Sequence, residues 1–234
     1  MAEVPKLRRD RSGLSLTKIA ARFHGGVREV EEQIEPYARW WDEANAAALE
    51  AEGPLWVAFG DSTAQGIGAD EPSGSYVGQA LMKLRDVSGQ PWRVLNLSMT
   101  GARFADVSGH QVPAARSVLN GSVPALVTCV VGTNDVLFRW GFDGIVEDAR
   151  AMVEAVPDDT LLGRLGSSRG RRRIAVNEIF ATAEAEGGVD LFDVWVWPDD
   201  GERRLAADGF HPNDLGYEMM ADALMSAVRD RLGL

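Results

Sequence analysis

Four short blocks of the chain hold residues able to do chemistry at an acyl carbon. Gly60-Asp61-Ser62-Thr63 follows an apolar run. A serine at the carboxyl end of a strand, ahead of the flexible turn of Gly66 and Gly68, is placed to act as a nucleophile. The block lacks the second glycine of a G-x-S-x-G elbow, so the hydrolase pattern built on that elbow does not apply. Ser98-Met99-Thr100-Gly101-Ala102 contributes a glycine whose N–H can approach a developing oxyanion. Gly132-Thr133-Asn134-Asp135 contributes the Asn134 amide as a further donor to that oxygen. In Asp208-Gly209-Phe210-His211-Pro212, a tight turn lets Asp208 meet Nδ1 of His211 and leaves Nε2 for a serine.

Each block alone also has an ordinary reading. Asp61 or Ser62 can cap a helix, Gly101 and Asn134 can be plain turn residues, and Asp208–His211 can lead into a helix capped by Asn213 or Asp214. What joins them is the order of elements. Leu55–Gly60, Arg93–Ser98, Ala125–Gly132 and Val189–Trp195 read as short buried strands, with Thr160–Leu165 as a weaker one. Amphipathic stretches near 75–88, 104–120, 142–156, 171–186 and 214–232 lie between and after them. Continuous apolar strands alternating with helices predict an α/β fold, a doubly wound parallel sheet covered on both faces. With strand order 2-1-3-4-5, ligands bind at the carboxyl ends beside the switch point. Ser62, Gly101 and Asn134 then share one rim, and the loop holding Asp208 and His211 arches back over it.

Residues 1–53 read as an N-terminal helical extension and 54–234 as the main domain. Val27, Val30, Ile34, Tyr37, Trp41, Ala44 and Ala48 follow a 3-4 spacing. Pro36 inside that stripe predicts two helices meeting near Glu35–Pro36, with an earlier break at Gly25–Gly26. The stripe suits packing on the chain's own domain or a homodimer formed through these helices. Arg169, Arg171, Arg172 and Arg173 read as a solvated loop entering a helix rather than a binding patch.

The 234 residues are 45% hydrophobic and 25% charged, with 24 Lys plus Arg against 35 Asp plus Glu, a net charge of −11. That acidity argues against a nucleic-acid partner. No apolar run reaches the length of a membrane span. Cys129 is the single cysteine, which rules out an internal disulfide and a cysteine-based zinc site. The basic start of the chain (Lys6, Arg8, Arg9, Arg11) has no uninterrupted apolar stretch after it, because Lys18 and Arg22 intervene, so the sequence reads as cytoplasmic.

The four blocks, in this order after successive strands, resemble the SGNH hydrolase superfamily, also called GDSL esterases and lipases, over residues 54–232. The resemblance implies a flavodoxin-like α/β/α sandwich and acyl hydrolysis with neither metal nor cofactor. It implies a catalytic triad of Ser62, Asp208 and His211 and an oxyanion hole formed by Ser62, Gly101 and Asn134. The implied reaction is hydrolysis of a small soluble carboxylic ester or thioester through an acyl-enzyme on Ser62. An acyltransferase working through the same acyl-enzyme with an alcohol acceptor is the alternative, and a non-catalytic flavodoxin-like binding domain is a further one. Phe104, Phe138, Trp140, Phe142, Trp195 and Trp197 are candidates either for an acyl pocket or for ordinary packing. The N-terminal segment is longer than in the commonest small members, and the loop Gly163–Gly170 is richer in Gly, Ser and Arg.

Overall fold

The structure, a computed structural model, describes residues 5–8, 25–166 and 170–234. Arg9, Arg11, Lys18, Arg22, His24 and Arg169 lie outside the described residues. Along the chain run α1 (Gly25–Glu50), β1 (Leu55–Gly60), α2 (Ser62–Gln65), α3 (Tyr76–Ser88), β2 (Arg93–Asn96), α4 (Phe104–Asp106) and α5 (Val112–Leu119). They are followed by β3 (Leu126–Val130), α6 (Thr133–Phe138), α7 (Phe142–Ala155), β4 (Thr160–Gly163), α8 (Arg171–Ala185), β5 (Val189–Phe192) and α9 (Asp214–Leu232). The five strands pair in parallel, as the alternation of elements predicts, and in the order β2-β1-β3-β4-β5, the one adopted from the two common choices for such a sheet.

Alternation along the strands divides the interior into two layers. Leu55, Val57 and Phe59 of β1 pack on one face with Val127, Cys129, and the apolar sides of α5, α7 and α8. Trp56 and Ala58 face the other way, toward α3 and α9, where Tyr217, Met220 and Leu224 are fully buried. All residues of β1 and β3 are buried, which is why they read as continuous apolar runs. Trp56 satisfies its indole by donating to Thr128 Oγ1 at 3.0 Å. Cys129 is buried, and burial pushes its thiol well above the ordinary range, so it stays neutral and inert.

The N-terminal segment departs from expectation. α1 runs unbroken through Pro36. Pro36 and Glu32, whose carbonyl loses its helical partner there, are both exposed, so the missing bond falls on the solvent side of the helix. Residues on the opposite side dock the helix on the domain. Trp41 packs among residues of α3 and α9, and Val30 and Tyr37 pack with Ile67 and Ala206. The apolar stripe is therefore used on the chain's own domain. Asn45 completes the docking, because its amide exchanges two hydrogen bonds with the backbone of Asn96 (2.8 and 2.7 Å) and so covers the edge of the sheet at β2.

Asn45→Ala should leave a buried N–H and C=O of β2 unpaired. At about 1–3 kcal/mol for each of the two unsatisfied groups, a loss of about 2–6 kcal/mol is expected, read as a lower urea midpoint with an unchanged slope.

Candidate active site

The ladder of β1 ends at Gly60, and the chain turns at once into α2. Asp61 is the cap of that short helix, with Oδ1 accepting from Thr63 N (3.0 Å) and Thr63 Oγ1 (2.8 Å). Ser62 is thus fixed at the first helical position, at the carboxyl end of the sheet. Its Oγ lies 3.0 Å from His211 Nε2, and His211 Nδ1 lies 2.6 Å from Asp208 Oδ2. Asp208 accepts at the other oxygen from the backbone N–H groups of Phe210 (2.9 Å) and His211 (3.0 Å). The tight turn expected from sequence and the carboxylate–imidazole pair are one structure. Asn213 separately caps α9 by accepting from Gly216 N.

The loop that carries His211 is closed like a hairpin. Leu205 and Pro212 form an antiparallel bridge, and Ala206 N donates to His211 O at 2.8 Å. The loop is pressed against the Ser62 turn at Gly68. Gly68 has φ +101°, and a Cβ there would meet Pro212 O at 2.5 Å and His211 Cβ at 2.9 Å. Only glycine permits both this backbone and this approach.

The third block is bound to the first two by side chains. Asn134 Nδ2 donates to Ala102 O (3.0 Å), next to Gly101, and to Asp61 Oδ2 (3.3 Å). Asp135 Oδ2 accepts from Phe104 N at 3.1 Å. Ser62, Asn134 and His211 line one cleft of about 340 Å³, at the small end of the range for ligand sites. Gly101 takes a left-handed turn (φ +79°) next to Ala102, whose carbonyl holds Asn134, and is not among the residues lining the cleft.

The apolar wall of the cleft is Leu137, Trp195, Phe210 and Pro212. Of the six aromatic candidates only Trp195 contributes. Phe104 is fully buried in the core, and Trp140 is 95% exposed. Phe138 reaches the cleft indirectly, by an edge contact with Phe210 at 5.7 Å. The arginines also differ from expectation. Arg171, Arg172 and Arg173 form the first turn of α8, where Arg171 lies over the Phe142 ring and Arg172 donates to Val136 O. Arg173 and Gly166 line the cleft. A cation spaced as if for a solvated helix start carries no mark in sequence of the wall it will join.

Three glutamines missed by the sequence reading hold the turn. Gln111, on the π-helical turn Val107–Gln111, pairs with both main-chain groups of Gly60 (2.9 and 2.8 Å). Gln65 accepts from Thr100 N (2.9 Å) and donates to Ser98 O (3.2 Å), joining the Ser62 turn to the Gly101 turn. Gln33 of α1 accepts from Gly68 N (2.8 Å) and donates to Ala69 O (3.1 Å). Trp41 and Tyr37 add donors to Gln65 O (3.0 Å) and Ala69 O (2.7 Å). The available signal was buried-side amides flanked by apolar residues, but nothing local names their partners.

Burial acts on three carboxylates with different outcomes. For Asp208 it opposes the charge, but hydrogen bonds from His211 and Phe210 outweigh it and hold the carboxyl below its ordinary value. For Asp61 burial prevails over the bonds from Thr63 and the attraction of His211, and its pKa is raised. Asp135 is pushed up to about 6, chiefly by burial, against the Phe104 N–H and the charges of Arg103 and Arg139. Its Oδ1 has no hydrogen-bond partner, with Arg139 at 3.5 Å.

A carboxyl pKa raised on folding means that the folded state holds the proton more tightly. The stability from protonated Asp135 is complete below about pH 4 and is lost as the pH rises through about 6. Asp135→Asn keeps an acceptor for Phe104 N without the charge. Its unfolding free energy relative to wild type should therefore rise by about 1–3 kcal/mol between pH 4 and pH 7, as measured by urea titrations at each pH.

With this geometry in place, the chain can be set beside known proteins. The model of the GDSL-like lipase/acylhydrolase family matches residues 58–219. No curated protein matches the sequence. The fold is similar to that of TesA (TM-score 0.59, 21% identity, covering 75% of this chain and 98% of that one). It is also similar to a lipase/acylhydrolase from Enterococcus faecalis (TM-score 0.59, 22% identity, covering 76% and 96%). The psychrotrophic esterase EstA from Pseudoalteromonas sp. gives a TM-score of 0.56 at 19% identity, covering 77% and 100%. At these identities the likeness is one of fold. The family match spans well over half of the sequence and contains the serine, glycine and asparagine blocks and Asp208 with His211, so the chain belongs to the GDSL-like lipase/acylhydrolase family.

Proposed function

We propose that this protein is a serine esterase acting on a small soluble carboxylic ester or thioester, in the cytoplasm. The observation that carries the reading is the continuous path from Ser62 Oγ to His211 Nε2 (3.0 Å) and from His211 Nδ1 to Asp208 (2.6 Å), opening into a small, largely apolar cleft.

In the first half-reaction His211 Nε2 takes the hydroxyl proton as Ser62 Oγ attacks the carbonyl carbon. The tetrahedral oxyanion accepts from the N–H groups of Ser62 and Gly101 and from Asn134 Nδ2. The longer of the two Asn134 bonds, the 3.3 Å one to Asp61, is the one an oxyanion competes for. His211 then gives the proton to the leaving alcohol as the carbon–oxygen bond breaks. Water adds to the acyl-enzyme by the same route, releasing the acid and restoring Ser62. Asp208 accepts from Nδ1–H, fixes the tautomer and steadies the imidazolium. No step needs a metal or a cofactor.

The test is a panel of nitrophenyl esters of increasing acyl length, with a fluorophosphonate probe read by mass spectrometry. Hydrolysis of short esters and an adduct on Ser62 are expected. A kcat/KM that climbs beyond eight acyl carbons would contradict so small a cleft. Failure to label Ser62 would favour a binding domain, and transfer products on adding acceptor alcohols would assign an acyltransferase.

Asn134→Ala should lower kcat by about 10²–10³ with little change in KM, because the amide meets the oxyanion chiefly in the transition state. Steady-state kinetics on one activated ester decide this, and a kcat within a few-fold of wild type would move the oxyanion hole elsewhere.

Asp208→Asn and Asp208→Ala separate two roles of one carboxylate. Asparagine keeps an oxygen for Phe210 N and His211 N but presents an amide donor to Nδ1, so kcat should fall by about 10⁴ while Tm stays near wild type. Alanine removes the loop's acceptor as well, and its Tm should fall measurably.

A further inference from the structure

The cleft holds one charged group that the proposed reaction does not use. Its ionisable lining residues are His211, the buried Asp61 beneath Ser62, and Arg173. Arg173 is half-buried, and no described residue offers its guanidinium a hydrogen bond or an ion pair. Its neighbours are all engaged. Arg171 lies 4.4 Å over the Phe142 ring, Arg172 donates to Val136 O at 3.1 Å, and Arg164 pairs with Glu184 and Asp193. Arg139 is held between Asp148 and Asp135. What sets Arg173 apart from these neighbours is that it lines the cleft without a partner among the described residues.

Its position is unfavourable in two further ways. Arg173 lies in the first turn of α8, a turn with three arginines and no acidic residue, where the helix dipole opposes positive charge. It also shares the cleft with Leu137, Trp195, Phe210 and Pro212, an apolar wall that screens a charge less than water does. Both effects are relieved if an anion enters the cleft. A guanidinium presents a planar fork of donors matched to a carboxylate.

We propose that Arg173 determines specificity by binding a carboxylate on the substrate, so that the preferred ester is an anionic one whose charged group shares the cleft with the scissile carbonyl. This rests on the esterase reading above. The bond cleaved and the proton path are those already given. Arg173 adds a charge-assisted bond to the non-reacting part of the substrate, which lowers KM and fixes the pose of the carbonyl over Ser62.

The experiment compares matched anionic and neutral esters: 4-acetoxybenzoate against its methyl ester, with the charge on the alcohol side, and monoethyl succinate against ethyl butyrate, with the charge on the acyl side. The quantity read is the anionic-to-neutral ratio of kcat/KM within each pair. In at least one pair Arg173→Gln should lower that ratio roughly ten- to a hundredfold relative to wild type. Arg173→Lys, which keeps the charge but not the fork, should lie between. Arg171→Gln removes the same charge outside the cleft and should leave the ratio within about twofold. Added salt should lower the wild-type ratio and not that of Arg173→Gln. An unchanged ratio in Arg173→Gln in both pairs, or an equal fall in Arg171→Gln, would overturn the proposal while the esterase reading stands. No turnover of any ester, with no fluorophosphonate adduct on Ser62, would overturn both.

Discussion

The backbone hydrogen-bond ladder of β1 stops at Gly60, and the residue that would do the chemistry comes two positions later. Some main-chain groups of that turn pair with one another, as Ile67 N does with Ser62 O, and the rest must find a partner elsewhere or cost about as much as a lost hydrogen bond. Side chains from distant parts of the chain supply those partners. Gln111 closes on Gly60, and Gln33 and Tyr37 close on Gly68 and Ala69, while Asp61 caps Thr63 locally. The same contacts that satisfy the turn also immobilise it. Within that rigid frame a serine hydroxyl can lie at hydrogen-bond distance from an imidazole on a loop 149 residues away in sequence.

Because satisfaction and positioning are one set of interactions, elements with no reacting group are still part of the site. α1 touches the Ser62 turn through Gln33, Tyr37 and Trp41, and the edge strand through Asn45. It also reaches the His211 loop, where Gly26 lies so near Ala207 that a Cβ would meet its carbonyl oxygen at 2.3 Å. Gln65 carries the restraint on to Thr100, beside Gly101. A helix outside the parallel sheet thus braces both sides of the cleft, and the cost of Pro36 inside it is offset by that packing.

The three buried aspartates show how environment distinguishes one residue type. Asp208 receives an imidazole and two backbone N–H groups, enough to hold its carboxyl below its ordinary value despite burial. Asp61 and Asp135 receive fewer or longer bonds in deeper burial, so their charge is disfavoured. Of the three, the negative charge held most firmly is then the one behind the imidazole, where the proposed reaction needs it to steady the proton taken from Ser62. Asp61 and Asp135 instead join the Ser62, Asn134 and Phe104 segments into a single rim.

By itself the sequence determined whatever depends on local pattern. Apolar runs bounded by turns marked all five strands, including the weak one at Thr160–Gly163, and the alternation with helices made the sheet parallel and narrowed its order to two common choices, of which β2-β1-β3-β4-β5 is the one formed. Once that order holds, residues just past the carboxyl ends must share a rim, so Ser62, Asn134 and His211 could be brought together on paper. The helix at Thr133–Phe138 was hidden inside what reads as a turn, and the break expected at Pro36 is absent, because packing against the sheet outweighs local preference there. Tertiary structure alone decided the partners of Gln33, Gln65 and Gln111 and the placing of Arg173 in the cleft wall. Those contacts join residues more than thirty positions apart, or a helix face to a cavity. No spacing along the chain encodes them, since an amide or guanidinium acquires its role only when folding brings its partner within about 3 Å.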